Sequence, residues 1–459
     1  MTTTGHNGAR RPKLFRDPIH NVISHDMRSP QGQLLVRLID TSAFQRLRHI
    51  RQLGLAHLVY HGAEHSRFAH AMGTAHLAER FFDAIERDRH PADEQRVVTV
   101  AAALLHDIGH APFSHAFENT LAQSLTLHHE AYTERIILWP EGDVYGILAD
   151  FDPSLPQRVA DLLTHRSHAW TAQIISSQLD ADRMDYLLRD GYMTGVQNYH
   201  YDAERILEML DRDDQGPLVH ARSQQAVESY LLSRFHMYQQ VYYHKTVRAA
   251  ETLIESIFRR VFDTIRDGDR SLLPSGALGR FLSAACQGQQ PEIADYLGVH
   301  DAHVWVAIDT WTHCADPILR DLCRRFATRN LLKTIEVAPH ASGRISTLWP
   351  DLEAIVAESG FDPRYYLAFD RAENSAFIPY APPASPLLPW DETNLHPTTP
   401  HHDIRILLPG GRVAPIQEVS DVVRALTDIR YRVARCCLPA EARQRATSLL
   451  RTHHLTEAL

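Results

Sequence analysis

Leu104-Leu105-His106-Asp107-Ile108-Gly109-His110-Ala111-Pro112-Phe113-Ser114-His115 is the stretch from which the rest of the chain can be read. The apolar run Val97 to Leu105 ahead of it predicts a buried helix carrying the His106-Asp107 pair into the core. Imidazole and carboxylate are both good ligands for a divalent ion, and adjacent placement lets them share one. On a continuing helix His110 looks into the same space as His106, until Gly109 and Pro112 loosen and end it. Three histidines and one aspartate within ten residues of an apolar background are costly to bury unless they share a metal or a charged ligand. The alternative is a capped helix end with a satisfied core histidine, in a chain where 30 of 459 residues are histidine.

That length leaves room for two or three domains and a sizeable core. A hydrophobic content of 44% with 22% charged residues is ordinary for a soluble globular protein. The net charge of -9 argues against a basic nucleic-acid coat. Five scattered cysteines form no CxxC pair and suit a reducing compartment. No apolar run approaches membrane-spanning length, and Met1 to Lys13 lacks the apolar centre of a signal peptide. The expected setting is cytoplasmic, with residues 1–12 a disordered arm.

Phe15 to His20 reads as extended or turning, because Asp17 precedes a proline. Between Leu34 and Leu55 apolar residues recur at threes and fours, predicting helices whose polar side carries Arg46, Arg48 and Arg51. His61-Gly62-Ala63-Glu64-His65 matches an inverted zinc-protease pattern, but Gly62 weakens the helix it needs. Ser66 opens a helix to about Arg87 on which Arg67 and His70 project together. Another helix begins at His128-His129-Glu130. Ile174 to Arg189 predicts one mostly buried helix bearing Asp180, Asp182 and Asp185, with Asp190 next; so many acids need a cation or donor nearby, or else form a solvated face. Gln224 to Ile265 predicts the longest helix, its middle interleaving basic and aromatic side chains suited to a base and phosphates. Strands are expected at Lys333 to Val337 and Tyr365 to Phe369, and seven prolines between Pro379 and Pro400 mark a loop or linker. The segment Ile404 to Leu408 and a Gly410-Gly411 turn lead into a smaller α+β region.

His70, His106-Asp107 and Asp182 stand in the H…HD…D order of the HD-domain phosphohydrolases. Asp17-Pro18-Ile19-His20, the run Ile39 to Arg48, Gln52-Leu53-Gly54, Arg67-Phe68-Ala69-His70, Pro112-Phe113-Ser114-His115 and Asp182-Arg183-Met184-Asp185-Tyr186 narrow it. The chain resembles the deoxynucleoside triphosphate triphosphohydrolases of the sterile-alpha-motif/HD-domain type and their bacterial relatives, strongly over about residues 13 to 250. The resemblance implies a mainly α fold. An HD core would span 13–330, with a smaller C-terminal α+β region for regulation and oligomerisation at 331–459.

It also implies roles. His70, His106, Asp107 and Asp182 would bind a divalent metal (iron, manganese, zinc, nickel or magnesium). His110, His115, Glu118 and His129 would surround the reacting phosphate, with His115, oriented by Glu118, protonating the leaving oxygen. Arg67, Arg183, Tyr186 and Arg234 would contact the triphosphate, and Gln52 and Asp190 the sugar 3′-hydroxyl. Leu53 and Tyr242 would pack against C2′ and reject a ribose. Arg183 stands where the family has lysine, and Tyr238 where it has a histidine in the nucleotide pocket. Lys13, Asp40, Gln45 and Arg48 match an allosteric guanine-nucleotide site between subunits, although Arg16 replaces an asparagine there; a surface salt-bridge patch is the other reading. The expected activity is hydrolysis of dNTPs to deoxynucleoside and triphosphate by a homo-oligomer (dimer, tetramer or hexamer), serving nucleotide-pool balance or antiviral defence. The competing readings are another HD phosphoester hydrolase (nucleoside monophosphatase, cyclic-nucleotide phosphodiesterase or nuclease) and a nucleotide sensor or nucleic-acid-binding protein.

Overall fold

The computed structural model describes residues 11–89, 93–113, 128–167, 169–338, 343–375, 377, 403–427 and 429–456. His115, Glu118, the prolines from 379 to 400 and the first ten residues of the expected arm lie outside the described residues. Strands β1 (Lys13–Asp17) and β2 (Asn21–His25) form an antiparallel hairpin. Its turn is built by Asp17, whose carboxylate accepts from the N–H groups of Ile19 and His20 at 2.8 and 2.9 Å, standing in for a turn of main chain.

Helices Arg67–Ile85, Asp93–Leu105 and Ala181–Thr194 form the centre. The second is buried from Val97 onward, as a helix apolar all round must be. It ends at Leu105, so the expected continuation through His110 is corrected: residues 106–109 are a turn, with the Ile108 and His110 N–H groups donating to Leu105 and Asp107 carbonyls at 3.1 Å. The helix His129–Ile137 imposes that turn. Its Thr133 hydroxyl accepts from the Gly109 N–H and donates to the His106 carbonyl, both at 3.1 Å. A Cβ on Gly109 would stand 2.2 Å from the His129 carbonyl oxygen, so only glycine permits the approach.

The helix expected from Ile174 to Arg189 is two, Ala172–Ile175 and Ala181–Thr194. Asp180 separates them by capping the second, accepting from the Arg183 N–H at 2.7 Å; a carboxylate at that position favours a new helix start over continuity. The stretch from Gln224 is also interrupted. Helix Gln224–Met237 passes into a widened π turn, Tyr238–Tyr242, and Lys245–Arg266 starts afresh behind His244. Such turns re-aim side chains and recur at functional sites; here Tyr238, Tyr242 and Tyr243 all reach one cleft.

Strands β3 (Leu210–Asp213) and β4 (Gly216–His220) form a hairpin that the sequence reading lacks. The charged run Asp211 to Asp214 hides it, since it has no apolar alternation. The later strands are β5 (Lys333–Glu336), β6 (Ala368–Ser375), β7 (Arg405–Leu407), β8 (Val413–Pro415) and β9 (Arg430–Leu438). β7 joins β4 in parallel and pairs with β8 across the Gly410-Gly411 turn, while the other sheet runs β5-β9-β6. β6 begins at Ala368 rather than Tyr365, because Asp362 and Pro363 first open a helical turn, Pro363–Tyr366. The fold is mainly α, a helical core with a smaller C-terminal α+β region. All five cysteines are free, and no described helix is long and apolar enough to cross a membrane.

Candidate metal centre and the cleft beside it

Nitrogens of His70 and His106 and an oxygen of Asp182 lie within 4.8 Å of one another. His70 Nε2 is 3.0 Å and His106 Nε2 3.5 Å from Asp182 Oδ1, and His106 Nε2 is 3.4 Å from Asp107 Oδ1. His106 Nδ1–H donates to the Ala103 carbonyl at 2.8 Å, which leaves the lone pair on Nε2, a buried atom without a hydrogen-bond partner. His70 Nδ1–H donates to Asp185 at 2.8 Å, aiming its Nε2 at the same point. Two imidazoles and the Asp182 carboxylate converge on one point as a donor set for a divalent ion, and Asp107, expected as a fourth ligand, stands beside His106 rather than within that convergent set.

Burial opposes charge on His70, yet Asp182 and Asp185 outweigh it and lift the imidazole to about 10, so a metal binding at Nε2 would displace a proton there. Burial also opposes charge on Asp107, but His106 and Arg67, with a hydrogen bond from His110, hold its carboxyl well below the usual range. These acids stay ionised at neutral pH and want a cation beside them. His110 is kept neutral by burial and by neighbouring Arg67 and His129, and its ring stacks on His129 at 3.9 Å.

Sequence reasoning assigned no role to the groups that orient His70. Asp185 is fully buried and accepts from His20 Nε2 at 2.6 Å, from His70 Nδ1, and from Arg189 Nε and Nη2 at 2.8 and 2.9 Å. Arg189 Nη1 in turn donates to Asp17 Oδ2 at 2.8 Å. The hairpin turn at Asp17-Pro18-Ile19-His20 is thereby tied to a metal-facing histidine, as carboxylates behind ligating histidines commonly are. Gly73 makes room for this at the helix crossing, where a Cβ would lie 1.8 Å from Asp185 Oδ1. The Asp185-to-Arg189 spacing of four was the available signal.

A cleft open to solvent lies beside the cluster, its wall a mix of apolar side chains and a few convergent polar ones, as ligand sites commonly are. Arg67, His70, Asp107, His110 and Asp182 line one part, and Gln52, Leu53, Asp190 and Tyr242 another, with Tyr186 and Tyr238 also in the wall. Pairing of residues 50–52 with 65–67 sets Gln52 beside Arg67: the Gln52 N–H donates to His65 and the Arg67 N–H to Ile50, both at 2.9 Å. Asp190 accepts from His65 Nε2 at 2.7 Å and from the Tyr242 hydroxyl at 2.9 Å, which gives His65 of the discarded protease pattern a structural task. Gln52 Oε1 is a buried acceptor with no donor. Asp301, also unforeseen, holds two cleft loops by accepting from the Arg51 and Phe113 N–H groups at 3.0 and 3.3 Å.

Arg183 and His129 lie elsewhere: they line a second, smaller pocket that shares Asp107 and Asp182 with the cleft. Arg234 donates to Gln178 Oε1 at 3.1 Å, its guanidinium 5.9 Å from the Tyr238 ring. A family model described as the HD domain matches residues 67–190, and one described as the HD associated region matches 201–273. The uncharacterised protein YwfO of Bacillus subtilis is 37% identical over 372 residues, 81% of this chain and 82% of that protein.

The chain belongs to the HD-domain phosphohydrolase family. The SAMHD1 triphosphohydrolases are among this HD protein's relatives. A Dictyostelium discoideum protein named as a deoxynucleoside triphosphate triphosphohydrolase SAMHD1 homolog is 31% identical over 281 residues, 58% of this chain and 53% of that protein. The HD protein thus spans about half the length of that relative. A solved structure of a phosphohydrolase from Bacteroides thetaiotaomicron superposes with a TM-score of 0.76 at 25% identity, over 93% of this chain and all of that one. Of the expected allosteric positions, the HD protein joins Arg48 Nε to Gln45 Oε1 at 2.8 Å, with the Arg48 guanidinium 3.5 Å over the Phe68 ring. Asp40 is exposed at the end of helix Pro30–Ile39, and Lys13 lies over Phe15 on β1.

Proposed function

We propose that this HD hydrolase converts dNTPs to deoxynucleoside and inorganic triphosphate. One observation carries the reading: a single cleft brings Gln52, Leu53, Asp190 and Tyr242 together with Arg67, His70, Asp107, His110 and Asp182. The acceptors Gln52 Oε1 and Asp190 suit a 3′-hydroxyl, and the cations and metal-competent groups suit phosphates. His70, His106 and Asp182, with Asp107 beside them, would hold a divalent ion, which when bound would supply Lewis-acid polarisation of a phosphoryl oxygen and a more acidic water. Arg67, anchored on Asp107 at 2.5 Å, neutralises triphosphate charge in a pre-set position. Burial, with the Asp190 charge adding to it, keeps the Tyr242 hydroxyl protonated, so it goes on donating to Asp190 and fixes that carboxylate for the sugar. Tyr186 serves the triphosphate from the cleft wall, Arg183 would reach it only from the adjoining cavity that shares Asp107 and Asp182, Arg234 only by leaving Gln178, and Tyr238 and Leu53 serve the nucleoside. Lys13, Asp40, Gln45 and Arg48 form part of an activating nucleotide site in a homo-oligomer assembled with help from 331–459.

The test is incubation with manganese or magnesium and each of the four dNTPs, alone and mixed, with anion-exchange separation of products. Triphosphate plus deoxynucleoside is expected; monophosphate products overturn the reading in favour of another phosphoester hydrolase. Leu53→Ala opens space beside C2′ and is expected to raise ribonucleotide over deoxyribonucleotide turnover by roughly tenfold, since one packing contact discriminates by about 10–200-fold. A ratio unmoved by Leu53→Ala removes Leu53 from that role.

A further inference from the structure

Two charged residues in the cleft wall have no part in the reaction described above. Arg248 and Glu251 stand one turn apart on helix Lys245–Arg266 and both line the cleft. Arg248 Nη1 donates to Glu251 Oε2 at 2.9 Å. Arg248 Nε and Nη2 donate to Asp370 Oδ1 at 3.0 and 2.6 Å, and Asp370, on β6, is itself buried. The C-terminal sheet therefore holds this guanidinium in place at the cleft. Nη1 and Nη2 each keep one further N–H, and Glu251 Oε1 takes no hydrogen bond among the described residues. Burial, with Glu255 and Asp370 adding negative charge, raises the Glu251 carboxyl to about 7 against the pull of Arg248. None of those charges belongs to the metal cluster. Tyr238, Tyr243 and Val247 line the same cleft and offer a planar ring an apolar bed.

With the Glu251 carboxyl ionised, above about pH 7, an N–H donor beside a carboxylate oxygen, with a second carboxylate oxygen next to it, is a pattern a base can match. Guanine presents O6, N1–H and N2–H in that order: O6 accepts from Arg248, N1–H and N2–H donate to Glu251. Thymine matches the first two positions, but its O2 then faces the second carboxylate oxygen. Adenine and cytosine reverse donor and acceptor at the first two positions and leave the pair mismatched.

We propose that Arg248 and Glu251, anchored by Asp370, read the lactam edge of the substrate base and favour guanine, then thymine, over adenine and cytosine. The proposal rests on the nucleotide reading above and names its base specificity. Internal competition tests it. All four dNTPs are supplied together to the full-length protein, so that any activating nucleotide acts equally on every reaction, and relative consumption gives ratios of kcat/KM. Equilibrium binding of each dNTP is measured in parallel by titration calorimetry. Wild type is expected to prefer dGTP over dCTP by about tenfold or more, the discrimination of one paired edge. Glu251→Gln, which keeps size and removes the charge, is expected to bring the ratio close to one, and Asp370→Asn to lower it in the same direction. Equal use and equal binding of all four bases by wild type, a preference for dATP or dCTP, or an unchanged ratio in Glu251→Gln overturns the proposal, as does failure to bind any dNTP. Selective dGTP binding without triphosphate release would leave this proposal standing and sink the triphosphohydrolase reading.

Discussion

Asp182→Ala is expected to lose the bound metal and hydrolysis together, the latter by roughly 10³-fold, since even one lost charge-stabilising contact costs about 10²–10³. Asp182 Oδ1 is the atom on which the two histidines converge, 3.0 Å from His70 and 3.5 Å from His106. The neighbouring histidines keep its carboxyl ionised, far below the usual range, although burial pushes the other way. Without it the donor set keeps two imidazoles, with Asp107 beside them, whose Oδ2 is already committed to Arg67 at 2.5 Å. The fold should survive, because Asp180 rather than Asp182 caps the helix. Elemental analysis of the purified variant alongside the product assay checks this. A variant that keeps its metal and its activity would remove Asp182 from the centre.

Asp185→Asn has the largest expected effect on stability, and it touches no substrate. Arg189 is fully buried and holds Asp185 through two hydrogen bonds, so removing the charge leaves the guanidinium with Asp17 as its remaining carboxylate partner, at a cost of up to about 3 kcal/mol, the low end for a broken buried pair. The same change frees His70 to rotate or change tautomer, for which metal affinity is expected to fall about 10–100-fold. Burial raises the Asp185 carboxyl, but Arg189, His20 and His70 outweigh it and hold it well below the usual range. A depressed carboxyl stabilises the fold above its unfolded value, near 3.9, and that stabilisation is lost as pH falls through the folded value. The deficit of Asp185→Asn is therefore fully expressed at pH 7 and shrinks in acid. Calorimetric melting at both pH values, with manganese titration at pH 7, measures the two effects separately. Manganese affinity within twofold of wild type would mean that Asp185 does not orient the ligand.

Much of the core was legible because it is written in local pattern. The apolar run before Leu105, the Arg67-to-His70 spacing and the His129 helix start were all readable from threes and fours. The boundaries that failed did so where a side chain found a better partner than the next helical turn. Thr133 pins the residues after Leu105, Asp180 caps a fresh helix, and the widened turn at Tyr238–Tyr242 redirects three tyrosines. The β3–β4 hairpin was missed for another reason: its stability is shared with β7, nearly two hundred residues away, and leaves little local trace.

By itself the sequence determined the mainly helical class, the H…HD…D order and the residue types a metal and a triphosphate need. Those follow from side-chain chemistry and from periodicities that act within a few turns. The tertiary structure alone decided that Asp185 braces His70, that His65 and Tyr242 fix Asp190, and that Asp370 holds Arg248 at the cleft. Each joins residues some fifty to over a hundred positions apart. No local rule specifies such a pairing; it arises because burying a charge is tolerable only where packing delivers its partner.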